Sequence, residues 1–169
     1  MHPEEDILPL NFEAEHGQKP PPKAPREGVG SRILLVEDDP AFSDFLAWCL
    51  AERGYAVQTA ANTREALELI GDLDQPGSFD IVLSDVAMPG GSGTELLFSP
   101  VLVMHKTPVI LMSAFGTKEL EDFIADAGGE FLSKPFNVDS LFQCVLAQLR
   151  GRYAASVSQG YDSGTGAPS

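Results

Sequence analysis

Ile33-Leu34-Leu35-Val36-Glu37-Asp38-Asp39-Pro40 is an apolar run that stops abruptly on three acids and a proline. Four apolar residues bounded by turn formers are the pattern of a strand buried on both faces. Pro40 suits the first position of a helix, with Asp39 as a plausible cap. The same arrangement recurs along the chain. Phe79-Asp80-Ile81-Val82-Leu83-Ser84 ends on Asp85, Pro108-Val109-Ile110-Leu111-Met112 ends on Ser113, and Phe131-Leu132-Ser133 ends on Lys134-Pro135. If these runs are parallel strands, their carboxyl ends share one edge of one sheet. Three carboxylates, a hydroxyl and an ammonium then converge on one cleft, a composition suited to a divalent cation and a phosphoryl group.

The intervening segments read as helices. After Pro40, Phe42, Phe45, Leu46, Cys49 and Leu50 keep helical spacing up to Gly54. Tyr55–Ala60 reads as a short strand. Asn62 and Glu65 suggest a capping box for a helix whose apolar side is Ala66, Leu67, Leu69 and Ile70. A third helix is expected between Thr94 and Met104, short, broken or kinked because Pro100 falls inside it. Two more helices are expected, from Lys118 to Ala127 and from Val138 to Leu149. Five strands alternating with five helices give an α/β fold with a doubly wound, five-stranded parallel sheet covered on both faces. In such sheets ligands bind beyond the carboxyl ends of the strands, where strand order reverses.

Composition narrows the function. The chain has 169 residues, 43% of them hydrophobic, and suits one globular domain with extra segments at its ends. A formal net charge of -14 argues against a nucleic-acid surface, which needs clustered Lys and Arg. The two cysteines, Cys49 and Cys144, fall in apolar helical patterns and read as reduced, buried thiols. No apolar run reaches the length of a membrane span and the first residues do not resemble a secretory leader, so a cytoplasmic location is expected. Residues 1–30 read as an acidic, Pro-rich extension. Within it Ile7-Leu8-Pro9-Leu10-Asn11-Phe12 is an apolar island, either a docking motif or, the simpler reading, part of a disordered tail. Residues 151–169 read as a flexible tail, leaving 31–150 as the folded unit.

The segments Leu35–Pro40, Asp85–Gly90, Met112-Ser113-Ala114 and Phe131–Phe136 together resemble the receiver domain of bacterial two-component response regulators. The resemblance spans about 120 residues and takes in every strand end in order. It implies a flavodoxin-like fold with strand order 2-1-3-4-5, the order of chemotaxis members of the same family. It also implies roles. Asp85 would be the phosphoacceptor, a carboxylate nucleophile that becomes an acyl phosphate. Asp38 and Asp39 would hold Mg²⁺ with Asp85 and the backbone carbonyl of Ala87. Ser113 and Lys134 would each bind a phosphoryl oxygen, and Phe131 would be the aromatic switch. Each residue also has a plain structural reading: Asp39 as a helix cap, Asp85 and Ser113 as turn residues, Lys134 as solvated, Phe131 as core. Their joint appearance at one edge favours the functional set.

On this reading the protein is a signalling module and not an enzyme, catalysing only its own phosphoryl transfer and dephosphorylation. A histidine kinase or histidine phosphotransfer protein would be the donor. A downstream protein would dock on the fourth helix, fifth strand and fifth helix, with a homodimer possible on phosphorylation. A stand-alone receiver acting through protein contacts is expected. The alternative is a pseudo-receiver, a binding module that signals without phosphorylation; a flavodoxin-like cofactor protein is disfavoured, because Glu37-Asp38-Asp39 would repel a cofactor phosphate. The resemblance further implies that Ala87 and Phe115, two residues beyond Asp85 and Ser113, flank the path of attacking water; neither side chain can orient one, so slow self-dephosphorylation is expected. The apolar stretch Phe98–Met104 could fill the core or form a contact surface.

Overall fold

A computed structural model describes residues 30–72, 74 and 79–159; the rest of the N-terminal extension, with its Ile7–Phe12 island, and residues 160–169 lie outside the described residues. The elements are β1 (Arg32–Val36), α1 (Pro40–Glu52), β2 (Ala56–Ala60), α2 (Thr63–Ile70), β3 (Ile81–Asp85), β4 (Ala87–Met88), β5 (Gly91–Ser92), a 3₁₀ helix (Gly93–Phe98), α3 (Pro100–Met104), β6 (Val109–Ser113), α4 (Lys118–Asp126), β7 (Glu130–Ser133) and α5 (Val138–Gln159). Five strands form a parallel sheet in the order β2-β1-β3-β6-β7. With the small antiparallel β4–β5 ribbon set aside, this is the expected order 2-1-3-4-5.

Strand periodicity divides the core into two layers. Leu34, Val36, Val82 and Leu111 face one side and pack with Ala66, Ile70, Leu96 and Ile124. Ile33, Leu35, Ile81, Leu83, Ile110 and Met112 face the other and pack with Leu46, Leu50, Leu141 and Val145. Successive side chains of a strand point to opposite faces, so strands apolar at every position need helices on both sides. That requirement makes the fold doubly wound.

Local signals set the element ends. Asp39 caps α1, its Oδ1 accepting from the N–H groups of Ala41 at 2.9 Å and Phe42 at 3.2 Å. Asn62 Oδ1 accepts from Glu65 N at 2.9 Å, while the returning Glu65 carboxylate takes the N–H of Ala61 at 2.8 Å, one residue before the expected partner. Pro100 does not kink a helix. It occupies the first position of α3, capped by Ser99, after the 3₁₀ helix has ended. Val101 and Leu102 enter the core, whereas Phe98, Val103 and Met104 are exposed, so only part of the apolar stretch fills the core.

The last helix runs ten residues past the expected end at Leu149, to Gln159. The flexible tail expected over 151–169 is therefore corrected for 151–159, which are helical; 160–169 lie outside the described residues. Gly151 costs only about 1 kcal/mol in a helix interior. Beyond it Arg152 Nη1 donates to the carbonyls of Asp80 at 2.8 Å and Phe79 at 3.2 Å and pairs with Asp80 Oδ1 at 3.2 Å. Tertiary contact thus continues a helix that local composition ends. Cys49 is buried and Cys144 half-buried, both as free thiols. Burial, with Glu130 nearby, pushes the Cys144 thiol up to about 11, which disfavours the thiolate.

Candidate functional site

The site lies at the carboxyl edge of the sheet. Strand register brings its residues together: Val36 pairs with Ser84, Asp85 with Met112, and Ser113 with Ser133. Glu37, Asp85, Ser113 and Lys134 therefore leave neighbouring strands at nearly one level. One carboxylate oxygen each from Glu37, Asp38 and Asp85 lies within 4.8 Å of the others. Three hard, anionic oxygens converging at this spacing suit a small divalent cation such as Mg²⁺, which prefers oxygen ligands and keeps several waters.

The cluster differs by one residue from the expected acidic pair, Asp38 and Asp39. Glu37 joins Asp38 beside Asp85, while the carboxylate of Asp39 turns to cap α1. Asp39 still borders the cleft, and its backbone N–H donates to Glu37 Oε1 at 3.2 Å. The signal was present in the sequence. Glu37 directly follows the last strand residue, so it stands on the sheet edge itself; Asp39 directly precedes Pro40, the usual place for a cap. Ala87, expected to supply a carbonyl, opens β4 two residues beyond Asp85 and is exposed.

Lys134 reaches the cleft from β7, two strands away from Asp85 and roughly 10 Å at sheet spacing. Its side chain crosses that gap. Nζ lies 3.0 Å from Glu37 Oε2 and 3.7 Å from Asp85 Oδ2. The Lys134 backbone N–H donates to the Ser113 carbonyl at 2.8 Å, and the Lys134–Pro135 peptide is cis. Burial is the main cause that raises the Glu37 carboxyl above its usual range. The hydrogen bonds from Lys134 and Asp39 and the Lys134 charge oppose it, and the Asp85 charge adds slightly. Charge crowding in the site is therefore secondary to desolvation at Glu37.

Ser113 is 3% exposed, and its Oγ accepts from Phe115 N at 3.1 Å. Phe115, two residues on, is 82% exposed. Phe131 is half-buried against the first core layer. Its ring lies so close to Gly116 that a Cβ there would come within 2.6 Å of Cζ. Glu121, Ala125, Gly129 and Glu130 line a groove of about 320 Å³ beside it, between α4 and β7.

Two further residues escaped sequence reasoning. Gly93 starts the 3₁₀ helix against the phosphoacceptor candidate's backbone: a Cβ there would fall 2.0 Å from the Asp85 carbonyl oxygen and 2.6 Å from Ser84 Oγ. Phe42, in the first turn of α1, holds its ring centroid 4.7 Å from Lys134 Nζ.

The family model of the response regulator receiver domain matches residues 33–146. The chain belongs to the response regulator receiver domain family. Among curated receiver proteins, it is 37% identical over 124 residues to the transcriptional regulatory protein TcrA of Mycobacterium tuberculosis, covering 72% of this chain and 47% of TcrA. The chain spans about half the length of the curated relatives it matches. A CheY-like receiver from Methanospirillum hungatei superposes with a TM-score of 0.66 at 28% identity, over 74% of this chain and 98% of that one. The response regulator TrrA of Thermotoga maritima, solved in complex with Mg²⁺ and BeF, superposes with a TM-score of 0.59 at 32% identity, over 70% and 98% of the two chains. Receiver domains are signalling proteins of two-component systems that bind Mg²⁺ at an acidic pocket, and the carboxylate cluster here agrees with that. Among the described residues no helix is long and apolar enough to cross a membrane.

Proposed function

We propose that this receiver domain accepts a phosphoryl group on Asp85 from the phosphohistidine of a histidine kinase or a histidine phosphotransfer protein. A carboxylate oxygen of Asp85 attacks phosphorus in line, the P–N bond breaks, and the imidazole nitrogen leaves with its electron pair. The observation that carries the proposal is the position of Lys134 Nζ, 3.7 Å from Asp85 Oδ2, beside the Glu37–Asp38–Asp85 cluster. Phosphoryl transfer asks a protein mainly for positioning and charge neutralisation, and both are present at this edge.

Glu37, Asp38 and Asp85 are the residues that would hold Mg²⁺, which would neutralise charge on the transferring group when bound. Lys134 stands ready to take one phosphoryl oxygen. Ser113 would take another by giving up its bond with Phe115 N and turning its hydroxyl hydrogen inward. Movement of Ser113 leaves room for Phe131 to turn further into the core, and its withdrawal would reshape the α4–β7 groove. Signalling would then pass to a protein partner on the face of α4, β7 and α5, a two-state change of packing.

Beryllofluoride with Mg²⁺ tests the proposal. Wild type should bind it and be stabilised against thermal unfolding, while Asp85→Asn should not respond. An equal response in both proteins would overturn the assignment of Asp85.

A further inference from the structure

A lysine side chain carries several rotatable bonds, so reach alone does not keep Lys134 over the site. Three partners surround its ammonium: Glu37 Oε2 at 3.0 Å, Asp85 Oδ2 at 3.7 Å, and the ring of Phe42 with its centroid at 4.7 Å. The Phe42 ring is itself held. Its backbone N–H is bonded by the Asp39 cap at 3.2 Å, and the ring leans on Phe136 with centroids 6.2 Å apart and planes at 49°. Phe136 follows Lys134 by two residues, so the β7–α5 loop and the first turn of α1 clasp each other through this ring pair. Together with Ala114 and Pro135 the two rings wall a cleft of about 470 Å³ beside Glu37.

We propose that Phe42 is a positioning residue for Lys134, holding the ammonium within the site while it changes anionic partners. Resting on the reading of Asp85 as phosphoacceptor, this names the group that keeps its cation in place. Phosphorylation requires the ammonium to leave Glu37 and meet a phosphoryl oxygen. A carboxylate holds an ammonium in fixed hydrogen-bond geometry, whereas the negative face of a ring attracts it over a broad area. The ring can therefore stay in contact through the exchange. A leucine would fill similar space without that face.

The test uses the full chain as wild type, Phe42→Leu and Phe42→Tyr. In metal-free protein, proton NMR should show the Lys134 ε-methylene shifted upfield by the ring in wild type and Phe42→Tyr, and at its ordinary position in Phe42→Leu. With saturating Mg²⁺, beryllofluoride should bind roughly three- to tenfold more weakly to Phe42→Leu, the order of a partly desolvated cation–π contact. Phe42→Tyr should bind within about twofold of wild type, and Mg²⁺ affinity without beryllofluoride should be the same in all three. An unshifted methylene in wild type, wild-type beryllofluoride affinity in Phe42→Leu, or a parallel fall in Mg²⁺ affinity would overturn the inference. Failure of wild type to bind beryllofluoride would instead overturn the phosphoacceptor reading, and the NMR comparison would still decide the contact between Phe42 and Lys134.

Discussion

Glu37 and Lys134 form an ion pair at 3.0 Å, Oε2 to Nζ, with Glu37 only 4% exposed. The ammonium stands farther from Asp85, at 3.7 Å. The structure thus shows the cation resting on the cluster's most buried acid rather than on the residue proposed to be phosphorylated. A phosphoryl group on Asp85 would compete for it, and Mg²⁺ would take over neutralising Glu37.

Removing the cation should expose that dependence. Lys134→Met leaves Glu37 buried without its charged partner, a loss of roughly 1–3 kcal/mol when a buried group goes unpaired. Thermal unfolding of the metal-free protein at neutral pH should register it. Added Mg²⁺ should recover more stability in the variant than in wild type, and beryllofluoride binding should be lost.

Glu37 also predicts a pH effect. Burial, the largest cause, raises its carboxyl in the folded protein, so the fold binds that proton more tightly than the unfolded chain does. Its favourable contribution is full below the ordinary carboxylate value and is lost as pH rises through the raised value. Glu37→Gln removes this titration. The stability of wild type relative to Glu37→Gln should therefore fall from pH 4 toward neutrality in the absence of metal. Mg²⁺ affinity of the variant should drop, because one of the clustered oxygens has lost its charge.

Asp38 and Asp39, adjacent in sequence, should separate cleanly. Asp39→Ala removes a helix cap and should cost about 1 kcal/mol of stability, with Mg²⁺ affinity changed less than about threefold, or under about 0.7 kcal/mol. Asp38→Ala should do the reverse, keeping stability and losing Mg²⁺ binding. Titration with Mg²⁺ beside a denaturant curve for each variant measures both effects.

We propose that Ala87 and Phe115 tune the lifetime of the phosphorylated form. The Ala87 side chain is a methyl group, and Phe115 is 82% exposed with only an apolar ring to offer. Ala87→Asn with Phe115→Gln should speed dephosphorylation by roughly tenfold, the equivalent of about 1.4 kcal/mol. That is the scale of one orienting hydrogen bond. Decay of the phosphorylated protein, followed by mass spectrometry, gives the rate.

Much of this was legible in the sequence because each strand announces its end with a change of chemistry. The runs closing on Glu37, Asp85, Ser113 and Lys134 fixed strand number, direction and the edge that carries the site. What was misread lay where one local signal could serve two purposes. Glu37-Asp38-Asp39 offers three acids, and only packing decides that Asp39 caps α1 while Glu37 turns inward. Gly151 and its small neighbours suggest a helix end, but Arg152 is held by Asp80, which lies 72 residues earlier in the chain. Phe42 reads as ordinary helix core because the ammonium beside it comes from the far end of the fold. Contacts of that sequence separation leave no periodic trace.

The central claim is that Asp85 is the residue that carries phosphate. Incubation with acetyl phosphate and Mg²⁺, followed by borohydride reduction and peptide mapping by mass spectrometry, reads the position directly. The account predicts an intact-protein gain of about 80 daltons, one phosphate, and homoserine at position 85 after reduction. No gain in mass under donor excess, or a reduced residue at Asp38 or Asp39 with Asp85 intact, would contradict it.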